Sequence, residues 1–206
     1  MQIQGYDKNS CSSALMLIDL QVDYVSGGDL LEGQTSRMLA AFPELPANVA
    51  GVLQICRAAG MHVVHVRGQD SSTASKWLPW WTKLHKKGAG GGNAGPAEPW
   101  AAEVPGEPVF IKHTYDAFMS DEESEALMQH LRFLNIKRLY MCGCLTKACV
   151  GFSANSAFTL GFEVFVLGDC CADRSKEHHD AYLQMYDGYH LKVISGRDIL
   201  NADTCK

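Results

Sequence analysis

Leu139-Tyr140-Met141-Cys142-Gly143-Cys144-Leu145-Thr146-Lys147-Ala148-Cys149-Val150 carries an apolar strand pattern that gives way to a helical one within a few residues. The switch places Cys149 in the first turn of a helix. Backbone N–H groups at a helix start lack intrahelical partners, and the dipole adds partial positive charge, so a thiolate there is stabilised relative to the thiol. The competing reading is a small apolar side chain packed between helix and sheet, the commoner fate of a free cysteine. The segment alone leaves both open.

The same alternation continues on either side. Ala14-Leu15-Met16-Leu17-Ile18 is a continuous apolar run, as a strand buried on both faces shows, and it ends at Asp19. After a loop with Asp23, Tyr24 and Gly27-Gly28, Pro46 opens a helical pattern with Val49, Val52, Leu53 and Cys56 on one face, closed by Gly60. Met61 to Val66 reads as a strand running out at Arg67, and Pro108 to Ile111 as one ending at Lys112. The acidic run Ser120-Asp121-Glu122-Glu123 suits a helix N-terminus, with Leu127, Leu131 and Leu134 on its apolar face. Ile136 to Met141 is the strand before the switch, and Thr146 to Leu160 is the helix after it, stopped by Gly161. Phe162 to Leu167 is a further strand with Asp169 at its end; Ser175 caps a helix to about Asp187, His190 to Ile194 is the last strand, and Ser195 or Gly196 begins a short helix. The pattern predicts a single-domain, Rossmann-like α/β fold over residues 1–206, with about six largely parallel strands and helices on both faces. Such sheets bind ligands beyond the carboxyl ends of their strands, where strand order reverses. If the first and fourth strands are neighbours, Asp19, Lys112 and the Cys149 helix start share that crevice.

Between about residues 69 and 106 the periodicity breaks, with Ser71-Ser72-Thr73, Trp77, Trp80, Trp81 and the run Gly88 to Gly95 followed by Pro96, Pro99 and Pro105. A loop this long is a lid or binding insertion, or else its tryptophans pack at a subunit interface; the two uses are compatible. A net charge of −5 offers no basic excess for phosphates, so neither nucleic acid nor an anionic membrane is an expected partner, and a small molecule is. No apolar run approaches a membrane span and the N-terminus is no signal peptide, which makes a cytoplasmic protein the expectation. Of eight cysteines, Cys142, Cys144, Cys149 and Cys170 fall in strands, strand ends or the helix start rather than framing loops, which favours reduced thiols over a disulfide framework. Cys142-x-Cys144 and Cys170-Cys171 lack the spacing of zinc knuckles, so no metal is expected.

Asp, Lys and Cys divide one chemistry between them. A carboxylate beside a thiol takes its proton and returns it to a leaving amine, while an ammonium holds the charges. The oxyanion falls to backbone N–H groups at the helix start, for which Ala148 and Cys149 are the candidates. Each residue also has a plainer use: Asp19 as a loop cap, Lys112 as a solvated strand end, Arg67 as a surface ion pair rather than a clamp for a substrate carboxylate. Tyr24, Tyr115, Phe118 and Trp77 are candidate pocket walls, because such pockets are mostly apolar and aromatic. His113 and His179 read as structural.

Leu17-Ile18-Asp19-Leu20-Gln21, Phe110 to Phe118 and Gly143 to Val150 resemble, in order and spacing, the signature stretches of the isochorismatase-like cysteine hydrolase superfamily; Asp169-x-x-Ala172-Asp173-x-Ser175 with His179 adds to the likeness. The resemblance implies Asp19 as general base, Lys112 as electrostatic helper, Cys149 as nucleophile, a cis peptide at Cys144-Leu145, no cofactor, and a homodimer or higher homo-oligomer. Nicotinamidases of that superfamily carry metal-ligand histidines after the second strand. This chain has Arg67-Gly68-Gln69-Asp70-Ser71-Ser72 there, which argues against that activity and its metal. Retention of Cys149 favours amide or ureide hydrolysis of a small, carboxylate-bearing molecule. The alternatives are isochorismatase proper, which cleaves a vinyl ether and needs no thiol, and an idle relative that binds a small molecule or protein.

Overall fold

A computed structural model describes residues 12–26, 34–69, 80, 83, 94–119 and 122–202. The strands are β1 (Ser13–Ile18), β2 (His62–Gly68), β3 (Val109–Lys112), β4 (Arg138–Cys144), β5 (Glu163–Ala172) and β6 (Lys192–Ile194). They form one six-stranded sheet in the order β3-β2-β1-β4-β5-β6, with every neighbouring pair parallel. From β1 the chain steps outward through β2 to β3, then crosses back and steps the other way from β4 to β6. The order therefore reverses between β1 and β4, and right-handed crossovers put the helices of the two halves on opposite faces.

β1 lies between β2 and β4 and is buried along its whole length, which is why its sequence is a continuous apolar run rather than an alternating one. Helix α3 (Leu45–Ala59), with Pro46 in its first turn, buries Leu45, Val49, Val52, Leu53 and Cys56. Helix α4 (Glu122–Phe133) buries Leu127 and Leu131, and α5 (Gly151–Thr159) buries Ala154 and Ala157. Each large apolar side chain so removed from water contributes about 1.5–3 kcal/mol. Helix α6 (Lys176–Tyr186) opens on Ser175, whose hydroxyl accepts from the His178 N–H, and α7 (Ile199–Ala202) closes the described chain. Among the described residues no helix is long and apolar enough to cross a membrane.

Three local features depart from the expected pattern. Short helices α1 (Val22–Val25) and α2 (Gln34–Ala41) occupy the segment read as loop. β5 runs on to Ala172 instead of ending at Leu167: where β4 advances from Met141 to Gly143, β5 advances from Val166 to Cys171, so the strand bulges and rejoins the ladder beyond Asp169. The helix after β4 begins with a π turn over Thr146–Val150 before its α-helical part. Part of the 69–106 insertion, including Trp77 and Trp81, lies outside the described residues.

Candidate active site

The crevice at the carboxyl ends of β1, β3 and β4 gathers three groups. Asp19 follows β1 in a left-handed backbone conformation (φ 54°), which aspartate tolerates better than most side chains. Its N–H donates to Val66 O at 2.9 Å, and its carbonyl accepts from the Cys144 thiol at 3.0 Å, so both neighbouring strands fix it. Lys112, the last residue of β3, extends Nζ to 2.7 Å from Asp19 Oδ2, with both side chains only 4% exposed. Nζ also donates to Thr114 O at 3.0 Å. Burial alone would lower the Lys112 pKa, but the neighbouring Asp19 and Cys149 outweigh it and hold the group well above its ordinary range. Lys112 is a fixed cation.

Cys149 is buried in the π turn beside both. Its thiol pKa is pushed up, first by burial and then by the Asp19 charge, while Lys112 opposes them. Burial beside Asp19 thus favours the thiol, against the pull of the helix start and of Lys112 toward the thiolate. The helix-start effect acts only within the first turn, and here it is weaker than desolvation next to a carboxylate. The second oxygen of the carboxylate, Asp19 Oδ1, is buried with no hydrogen-bond donor among the described residues. A methyl added at Gly68 would lie 3.1 Å from Oδ1 and 3.0 Å from the Tyr24 hydroxyl, so those two oxygens lie close over the Gly68 backbone and would have to shift by a few tenths of an ångström to admit a side chain. Gly68 is held there by Gln21, whose amide donates to Gly68 O at 3.1 Å and accepts from Gly68 N at 2.7 Å.

Gly143 answers a similar demand in β4: a methyl there would sit 1.9 Å from Ile18 O, and φ is 132°. The peptide bond between Cys144 and Leu145 is cis. In the turn that follows, Leu145 O accepts from Ala148 N–H at 3.0 Å and from Val150 N–H at 3.2 Å. An α turn would assign Leu145 O to Cys149; the π register passes that N–H over. Of the two expected oxyanion donors, Ala148 is thus already engaged. Asp173 is fully buried, accepting from Lys147 N–H at 2.9 Å and Arg174 N–H at 2.7 Å. Thr146 Oγ1 and His179 Nδ1 share a hydrogen bond of 2.8 Å.

The remaining candidates divide. Tyr24 borders the Asp19 carboxylate through Gly68. Tyr115 stacks on Phe152 of α5 at 6.0 Å, near the Cys149 end of that helix. Phe118 does not wall the crevice: its ring packs 6.1 Å from Phe162, which precedes β5 at the opposite end of the sheet. Its N–H is tied to Asp116 Oδ1, and the Ala117 N–H to Ser153 Oγ, which draws this segment down along α5. Arg67 is paired with Glu103 on the face of β2 opposite Gly68, so it is an ion-pair member rather than a free clamp. Trp77 lies outside the described residues. His113 bonds through Nδ1 to Gln69 O at 2.9 Å, joining the ends of β2 and β3. The described cysteines 56, 142, 144, 149, 170 and 171 are all free thiols. Among the described residues no group of three or more His, Cys, Asp or Glu is arranged to hold a metal ion.

Reading the residues singly missed Gln21, Gly68, Gly143, Thr146 and Asp173. The glycines carried a usable signal, since an isolated glycine in a strand marks close backbone approach.

The sequence matches the Isochorismatase domain family over residues 13–198. It is 27% identical over 191 residues to a maleamate amidohydrolase of Pseudomonas putida, a match covering 91% of this chain and 84% of that one. It is 28% identical over 179 residues to nicotinamidase 3 of Arabidopsis thaliana, covering 86% and 81%. Its fold is similar to that of a cysteine hydrolase from Pseudomonas syringae, with a TM-score of 0.76 at 15% identity over 98% of this chain and 97% of that one.

Proposed function

The chain belongs to the isochorismatase domain family of hydrolases, and from that premise we propose that it cleaves the C–N bond of a small-molecule amide or ureide through a thioacyl intermediate on Cys149. The observation that carries the proposal is the buried Asp19–Lys112 pair at 2.7 Å with the Cys149 thiol beside both members. A buried ion pair flanking a thiol and keeping one carboxylate oxygen unsatisfied is costly as mere structure, and it fits proton transfer. Asp19 takes the thiol proton as sulfur attacks the carbonyl, and Oδ1 has the free lone pair to do so. The Cys149 N–H, passed over by Leu145 O, receives the developing oxyanion. Collapse of the adduct expels the amine with the proton held on Asp19; water then attacks the thioester, Asp19 accepting its proton, and the thiol is restored. Lys112 stays protonated throughout and keeps the Asp19 carboxylate in place.

The relatives named maleamate amidohydrolase and nicotinamidase support amide cleavage. A carboxylate on the substrate is supported by the maleamate relative alone, because Arg67 is occupied by Glu103. The chain is further proposed to be one domain that assembles as a homodimer or higher oligomer, a reading in keeping with the exposed Phe152, Phe158, Met185 and Tyr189.

A panel of maleamate, N-carbamoyl amino acids, ureidoacrylate, biuret, nicotinamide and isochorismate, assayed for ammonia or pyruvate with and without chelator, tests the reading. Ammonia release from at least one amide or ureide, insensitive to chelator, is expected. Turnover of isochorismate alone, surviving Cys149→Ala and lost in Asp19→Ala, would replace this reading with vinyl ether cleavage.

A further inference from the structure

A turn that follows a strand into a helix ordinarily takes the α register, so the π register over Thr146–Val150 needs something outside the helix to hold it. Leu145 at the helix start offers no side-chain cap. Two side chains stand in its place, Asp173 from the connection between β5 and α6 and His179 from α6 itself. Fully buried Asp173 takes the Lys147 N–H at 2.9 Å, one of the orphan donors of the first turn, and His179 Nδ1 grips the hydroxyl of fully buried Thr146 at 2.8 Å. Consecutive residues of the turn are thereby anchored to a neighbouring element. The consequence falls two residues on, where Leu145 O bonds Ala148 and Val150 and skips Cys149.

We infer that Thr146, His179 and Asp173 are positioning residues that lock this turn in the π register, keeping the Cys149 N–H from capture by Leu145 O and so available to the oxyanion of an acyl-transfer step. The inference rests on the thioacyl reading above and adds residues that act through the backbone of the turn. Freed from the anchors, the turn relaxes to α geometry and Leu145 O captures the Cys149 N–H.

Two chemical probes of the same sulfur separate this from simple thiol placement. With p-nitrophenyl acetate, the Cys149 sulfur bonds to the acetyl carbon, the thiol proton passes to Asp19, and p-nitrophenolate leaves with the electrons of the broken C–O bond; an oxyanion forms in between. Iodoacetamide is attacked at its CH2 carbon, iodide leaves, and no oxyanion arises. Both rates are measured at one alkaline pH on the full chain, with peptide mapping and Cys149→Ala to assign the site. Thr146→Val is expected to slow acylation about 10- to 100-fold, toward the loss of one oxyanion donor, while alkylation stays within about 3-fold, far less than that loss. Thr146→Ser, which keeps the hydroxyl, is expected to restore acylation. Acylation of Thr146→Val at the wild-type rate, or an equal fall in both reactions, overturns the inference. If circular dichroism shows Thr146→Val unfolded, His179→Phe removes the same bond from the other side and is judged identically. A wild-type chain whose Cys149 reacts with neither probe overturns the thioacyl reading and this inference with it, a result distinct from an active thiol indifferent to Thr146.

Discussion

On one face of β2, Glu107 spends both carboxylate oxygens: Oε1 accepts from Arg57 Nε at 2.8 Å, while Oε2 meets Arg57 Nη2 at 2.8 Å, His65 Nε2 at 2.9 Å and Val104 N–H at 3.1 Å. On the other face, across Gly68, Asp19 has one oxygen on Lys112, and the other has no hydrogen-bond partner among the described residues. Both clusters bury charge at the same strand, yet the first is satisfied on every carboxylate lone pair that matters, and the second keeps a vacancy next to a thiol. The first sews the returning segment 102–107 to α3 and β2, since Arg57 also donates to Ala102 O at 2.8 Å. A satisfied network specifies structure, whereas a buried unsatisfied group calls for an explanation, of which a catalytic role is one. Under the proposed function, the contrast sets stability on the Glu107 side and chemistry on the Asp19 side.

The strongest way to break that assignment is to strike each cluster and measure both properties. Cys149→Ala is expected to lower amide or ureide turnover by about four orders of magnitude or more, since the covalent route loses its nucleophile. Its urea midpoint should stay near that of the wild type. Glu107→Ala is expected to do the reverse: unfolding free energy falls by about 2–4 kcal/mol as Arg57 and His65 lose their acceptor, while kcat at a temperature well below the transition is retained. Loss of turnover in the folded Glu107 variant would erase the distinction between the two faces.

A smaller change sharpens it. Gly68→Ala places a methyl 3.1 Å from Asp19 Oδ1 and 3.0 Å from the Tyr24 hydroxyl, and its effect should fall on the Asp19 side alone. An activity loss of about 10-fold is expected from a sub-ångström displacement of the carboxylate, with kcat falling more than KM rises. A variant with wild-type kcat would show that the carboxylate has room to spare.

How much of this was legible in advance depended on the kind of interaction. The sheet was readable because β1 is apolar along its length and periodic helices separate the strands, and Asp19, Lys112 and Cys149 stood out as polar or reactive residues where such patterns end. Residues that act through backbone contacts were not. Gln21 matters by bonding the Gly68 peptide, and Asp173 by taking the Lys147 N–H, partnerships at sequence separations of 47 and 26 that no local pattern encodes. The burial that pushes the thiol pKa up is hidden for the same reason: helix position is written in the sequence, whereas burial beside Asp19 arises only when β1 and β4 pair. Phe118 and Arg67 had the right chemistry for a pocket, but the direction each side chain takes is set by Asp116 and Glu103.

The Glu107 face should also reveal itself through pH, the mildest perturbation of all. Burial lowers the His65 pKa below its ordinary 6.5, only partly offset by the Glu107 bond, so the folded state prefers the neutral ring. Glu107 lies below its ordinary 4.5, because bonds from Arg57, His65 and the Val104 N–H outweigh the opposing effect of burial. For each group the unfolded chain binds protons more readily than the folded one, so stability rises with pH across its window. The His65 contribution is complete above about pH 6.5 and declines as pH falls below it; that of Glu107 is complete above about pH 4.5 and declines on further acidification. His130, His179 and His190, each also lowered by burial, add to the upper step. The slope cannot exceed about 1.4 kcal/mol per pH unit for each proton taken up. Urea unfolding from pH 8 downward is therefore expected to show a shallow loss beginning near pH 6.5, and His65→Gln, which keeps an N–H donor for Glu107 but does not titrate, should flatten part of it while leaving Cys149 acylation unchanged. A pH profile of stability identical in the His65 variant and the wild type would show that the histidine does not titrate against the fold, and would leave the Arg57–Glu107 and Arg67–Glu103 pairs to carry that face's electrostatics.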